Sequence, residues 1–127
     1  MKKLMAFVAG LGLLGATVPA FAHHSFAAEF DANKPANLTG TVTKVEWTNP
    51  HAWLFIDVKS VDGAVTNWGL EMPGPAQLLR PGLKRDSFKV GDVLTIDARG
   101  ARDGSSRANA RSITMANTGQ RVYGAAP

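Results

Sequence analysis

From residue 38 onward, apolar and polar positions alternate in short runs that Gly, Pro, Asn and Asp interrupt. Residues 38–47 carry Thr39, Thr41, Val42, Thr43 and Val45, the β-branched types that suit a pleated surface. Gly40 inside this run predicts a bend or bulge, and the alternation slips between Val42 and Val45, which fits a bulge too. A loop follows at Thr48-Asn49-Pro50, because Pro50 has no N–H for a ladder and holds Asn49 extended. Residues 52–59 and 65–72 read as a second and third strand, with Val61-Asp62-Gly63 as the hairpin signal between them. Pro73-Gly74-Pro75 ends the third strand, and residues 76–80 have room for one or two helical turns. Lys89-Val90-Gly91-Asp92 turns the chain into a fourth strand, 93–99, where Val93, Thr95 and Asp97 alternate with Leu94, Ile96 and Ala98. Residues 109–115 form a fifth strand and 120–123 a short sixth.

Three strands, a short helix and two more strands is the order of the OB-fold. The expected class is therefore all-β: a small five- to six-stranded OB-like Greek-key barrel with a short helix between strands 3 and 4. The bent first strand fits, since it must serve both halves of a barrel. A β-sandwich would need about seven strands, more than this chain offers.

The hairpin register follows from its loop. A three-residue loop with left-handed Gly63 sets Leu54 opposite Leu70, Ile56 opposite Trp68 and Val58 opposite Thr66. One face is then Ala52, Leu54, Ile56, Val58, Trp68, Leu70 and Met72, almost purely apolar. The other carries His51, Trp53, Phe55, Asp57, Asn67, Gly69 and Glu71. A two-residue loop would set Asn67 and Glu71 against Val58 and Leu54, burying polar groups without partners. Large aromatics on an outer face need a cover or a ligand. Phe26 and Phe30 are the expected cover for Trp53 and Phe55, and a partner recognised through Trp53, Phe55 and Asn67 is the alternative.

Residues 1–22 read as an export signal: Lys2 and Lys3, an uncharged small-and-apolar run, Pro19, then Ala20-Phe21-Ala22 as an A-x-A cleavage site. The run is too short and too rich in Gly and Ala for a membrane span. The expectation is a periplasmic protein cleaved after Ala22, with an N-terminal arm at 23–36, an OB-like domain at 37–127 and no membrane span after cleavage. Loss of Lys2 and Lys3 leaves 12 basic against 10 acidic residues. That balance is no nucleic-acid footprint. The chain has no cysteine, so an exported domain must rest on its core, and any metal must be held without thiolate.

Cleavage after Ala22 would make His23 the first residue. Its α-amine and ring then form one chelate beside the ring of His24, and His51, after Pro50, can close the set. Copper(II) heads the divalent affinity order and accepts tetragonal nitrogen ligands. Zinc is the second choice, being suited to His and Glu. The amine and one ring of His23 with the ring of His51 make a T-shaped three-nitrogen set. The amine, the amide of His24 and its ring make another. Glu71 is the expected acceptor that fixes the His51 tautomer. Met72 points into the core and Met115 has no assigned place, so neither is a ligand. The leading expectation is sequestration or handover of Cu(II), with a metal donor or acceptor protein as partner. The second is a non-catalytic module binding a protein or glycan on its aromatic face. A histidine-brace redox enzyme comes third, as no substrate cleft can be argued.

Other constellations carry less. Nothing places any two of Glu46, Asp57 and Glu71 beside a substrate. Arg99, Arg102, Arg107 and Arg111 gather around the last hairpin, as a solvated basic face or an anion site.

The segments His23-His24-Ser25-Phe26, Leu38-Thr39-Gly40-Thr41-Val42 and Glu46-Trp47-Thr48-Asn49-Pro50-His51 resemble a family of small exported proteins of Gram-negative bacteria, known as a domain of unknown function. Asn67-Trp68, Leu78-Leu79-Arg80, Lys89-Val90-Gly91-Asp92 and Asn109-Ala110-Arg111-Ser112 also look like its pattern. The resemblance implies export and no particular activity. Expression with the native leader, followed by N-terminal sequencing of the exported protein, should yield His-His-Ser-Phe as its start. A chain that retains Met1 contradicts the cleavage reading.

Overall fold

A computed structural model of the chain describes residues 25–124. A helical turn α1 (Phe26–Glu29) leads into β1 (Phe30–Glu46), β2 (Trp53–Lys59), β3 (Val65–Glu71), helix α2 (Pro75–Leu79), a 3-10 turn at Arg85–Ser87, then β4 (Val93–Ala101), β5 (Arg107–Met115) and β6 (Arg121–Tyr123). The fold is all-β with only short helices. The strands lie in the order β3-β2-β1-β4-β5-β6, all antiparallel neighbours, and β3 also pairs in parallel with β5. That extra pairing closes β1, β2, β3, β5 and β4 into a ring.

β1 serves both sides of the ring. Residues from Phe30 to Thr41 pair with β4, and those from Thr41 to Glu46 pair with β2. The register shifts between Val42 and Lys44, where the alternation predicts a bulge. Gly40 sits beside this switch because a Cβ there would come 2.6 Å from the Asp57 carbonyl oxygen.

The first strand is longer than its pattern predicts. It starts at Phe30, not at 38, and the Asn33-Lys34-Pro35 segment read as a turn lies within it. β4 supplies the reason, since it runs on to Ala101 and offers partners to both Phe30 and Pro35. The register shifts between those two positions, at a proline that has no N–H to give. Asp31 also accepts a hydrogen bond from the Asn33 N–H at 2.9 Å, a local turn-like contact inside a strand.

The hairpin register is the expected one: Leu54 faces Leu70, Ile56 faces Trp68 and Val58 faces Thr66. Gly63 has φ 88°. Ala52, Leu54, Ile56, Leu70 and Met72 are fully buried, and Leu94, Ile96, Ala98 and Ile113 meet them from β4 and β5. Leu78 of α2, Leu83 and Phe88 close one end of this core. Each such side chain contributes about 1.5–3 kcal/mol by leaving water. Ile96→Ala should therefore cost about 2–5 kcal/mol in chemical denaturation. Thr95→Ala, on the exposed face of the same strand, should stay within about 0.5 kcal/mol. Gly40→Ala should cost about 1–3 kcal/mol, since the Asp57 backbone has to give way.

Candidate functional site

The outward face of β2 and β3 carries the chemistry. Trp53 stands opposite Glu71, Phe55 opposite Gly69 and Asp57 opposite Asn67. Trp53 and Phe55 stack with ring centroids 6.5 Å apart and planes 25° apart. Their rings lie across Gly69, where a Cβ would be 3.3 Å from Phe55 Cε1 and 3.8 Å from Trp53 Cε3. Aromatics laid over a strand glycine cover backbone that has no side chain of its own. Asn67 donates from Nδ2 to Asp57 Oδ1 at 2.7 Å and to Thr43 Oγ1 at 3.1 Å, which leaves its carbonyl oxygen for a partner.

The cover expected from the arm is different. Phe26 pairs with Phe30, centroids 5.8 Å apart, and Phe30 is buried. Cations lie over the outer pair instead: the Arg107 guanidinium is 4.7 Å from the Trp53 ring centre, and Lys44 Nζ is 5.4 Å from that of Phe55. Lys44 is ion-paired with Glu46. A cleft of about 330 Å³ opens here, lined by Glu46, Trp53, Phe55, Gly69, Ser106 and Arg107.

His51 lies just before β2, and backbone hydrogen bonds hold its neighbourhood. Ala52 N–H donates to the Pro73 carbonyl at 3.2 Å, and Met72 N–H to the Ala52 carbonyl at 2.9 Å. Gly74 abuts the preceding loop so closely that a Cβ would meet the Pro50 carbonyl oxygen at 2.7 Å. The ring has one definite orientation, with Nδ1 3.2 Å from the Met72 carbonyl oxygen and 3.6 Å from Glu71 Oε1. A carbonyl only accepts, so Nδ1 carries a proton. In the neutral ring the Nε2 lone pair is then free. The side chain is 40% exposed. Glu71 is therefore a neighbour, and Met72 provides the closer acceptor.

Glu71 is buried, with Asn109 Nδ2 3.5 Å from its Oε1. Burial pushes its carboxyl above the ordinary glutamate value. His51 opposes that shift, the Glu29 carboxylate adds to it, and Asn109 and Arg107 oppose it. Glu29 and Arg107 line one cleft, so the end of α1 lies at the Arg107 side of this face. His23 and His24 lie outside the described residues. Among the described residues, no three His, Asp or Glu side chains gather as a metal site.

Met72 is fully buried, as expected, and Met115 is partly buried against the core. Arg99 pairs with Asp97 at 2.8 Å, and Arg102 reaches Asp31 at 3.7 Å and the Ala27 carbonyl at 2.7 Å. Two residues at this face were not singled out for it by their sequence positions. Arg107 and Asn109 come to it through the parallel pairing of β5, which sets Arg107 against Gly69 and Asn109 against Glu71. Tyr123 lies at another cleft, with Pro81, Leu83 and Val122, and burial raises its phenol above the usual value.

The chain belongs to a family of unknown function (DUF6152), whose pattern matches residues 10–110. No curated protein and no solved structure matches it. Among the described residues no helix is long and apolar enough to cross a membrane.

The raised Glu71 value has a consequence for stability. A carboxyl whose folded value lies above its unfolded one binds protons more tightly in the folded state, so stability falls as pH rises through that interval. Glu71→Gln removes the cost. Thermal melts should show the variant gaining on the parent as pH rises above the ordinary glutamate range. An advantage that shrinks over that interval contradicts the assignment.

Proposed function

We propose, taking membership of that family as the premise, that this is a periplasmic copper(II)-binding protein serving sequestration or handover. The leader is cut after Ala22, and the ligands come from the α-amine and ring of His23, from His24 and from His51. The observation that supports this reading is the His51 ring, whose Nδ1 proton goes to the Met72 carbonyl and whose Nε2 lone pair is left for a metal. Proximity supports it too. Only His24 and Ser25 lie between His23 and α1, a reach of about 10 Å at full extension, and Glu29 at the end of α1 lines a cleft together with Arg107 of this face. Imidazole and amine donors without thiolate suit Cu(II), with zinc as second choice. Both donors must be deprotonated, so affinity falls in acid. A metal donor or acceptor protein is the corresponding partner.

The second reading is a non-catalytic module that recognises a protein or glycan on the aromatic face. The Trp53–Phe55 stack over Gly69 favours it. For the architecture, we propose an OB-like Greek-key barrel. The ring order β1-β2-β3-β5-β4 and the helix between β3 and β4 support it.

A copper titration against a competing chelator separates these readings. The chain starting at His23 should bind Cu(II) more tightly than His51→Ala, and more tightly than a chain with one extra residue before His23. Each change should cost at least about tenfold. If neither weakens binding, the three-histidine site is wrong and the module reading gains.

A further inference from the structure

We infer that the cleft beside Arg107 is a binding site for a small aromatic carboxylate, whose apolar body packs beside Trp53 and Phe55 and whose carboxylate meets the Arg107 guanidinium. The inference is independent of copper, because it uses none of the histidines.

Three observations carry it. First, the Trp53 and Phe55 rings, 6.5 Å apart and 25° from parallel over Gly69, give the cleft an aromatic wall. Such a wall suits an aromatic body. Second, Arg107 lies over Trp53 with its donors uncommitted. Among the described residues its side chain makes no ion pair and no hydrogen bond, whereas Arg99 and Arg102 are both tied to aspartates. This holds although Glu29 and Asp103 line a neighbouring cleft together with Arg107. A guanidinium without a carboxylate partner can take one through two parallel N–H groups. Third, the cleft holds about 330 Å³, near the lower end of the range for small-molecule sites.

The charges on the rim agree with an anion. Glu46, the one carboxylate among the cleft's lining residues, is already paired with Lys44, which lies over Phe55. Arg107 is therefore the charged lining residue of this cleft that makes no ion pair among the described residues. A neutral sugar or a neutral aromatic would use the aromatic surface and could still touch Arg107, but only an anion adds a charge-assisted pair with its guanidinium.

The test uses metal-free protein and two probes with the same ring system and similar size, 2-naphthoate and 2-naphthalenemethanol, titrated by NMR. Naphthoate should bind at least about tenfold more tightly than the alcohol, with the largest shifts at Trp53, Phe55 and Gly69. Arg107→Gln should bring the two probes to equal affinity, and Arg107→Lys should restore part of the difference. Arg111→Gln, a change of equal charge elsewhere, should leave the preference intact. Arg107 is exposed, so these variants leave the core untouched. Equal binding of both probes by the parent protein overturns the proposal. So does absence of naphthoate binding, a preference that survives Arg107→Gln, or one that Arg111→Gln abolishes.

Discussion

The pairing of β2 with β3 is the constraint on which the remaining arrangement depends. Leu54 opposite Leu70 and Ile56 opposite Trp68 turn one face of the hairpin into the core, and this sends His51, Trp53, Phe55 and Glu71 to the other. Strand side chains alternate with period two, so a slip of one residue would exchange the faces. Trp68, Leu70 and Met72 would then meet water, and Asn67 and Glu71 would stand in the core against Val58 and Leu54. The loss of several apolar side chains at about 1.5–3 kcal/mol each exceeds any gain the polar set offers, which makes the register unique. Gly63 at φ 88° and the Ser60–Ala64 backbone bond finish the turn that this register needs.

Much of this was legible in local sequence. The three-residue loop, the apolar set on alternate positions and Gly40 with its slipped alternation name the hairpin and the bulge of β1 without reference to distant residues. The first half of β1 was not legible. Phe30 to Ala36 has no clean period, and its strand character comes from β4, a partner more than sixty residues away in sequence. Local propensity yields there to a pairing that only the closed ring provides.

The site divides the same way. His51, Trp53, Phe55, Asn67 and Glu71 lie on one face because they belong to one hairpin. Arg107 and Asn109 reach that face through the parallel pairing of β3 and β5, a long-range contact with no local signature. The aromatic pair illustrates the difference. Exposed aromatics pointed to a cover, and the nearest apolar candidates were Phe26 and Phe30. Those two pack with each other, and Arg107 and Lys44 stand over the outer rings. A stacked cation satisfies the ring while its charged edge stays hydrated, contributing about 0.5–1 kcal/mol at an exposed site. Covering Trp53 in this way leaves the face open at its edge and sets a cation there, where an aromatic lid would have sealed it.

The proposed copper site requires that the mature N-terminus and His51 share one place on this outer face. The most direct measurement adds sub-stoichiometric Cu(II) to the chain beginning at His23 and follows paramagnetic broadening by NMR. The ring signals of His51 should broaden together with residues at the N-terminus, ahead of Trp68 on the opposite face of the hairpin. Broadening confined to the N-terminal residues, with the His51 ring unaffected, would contradict it.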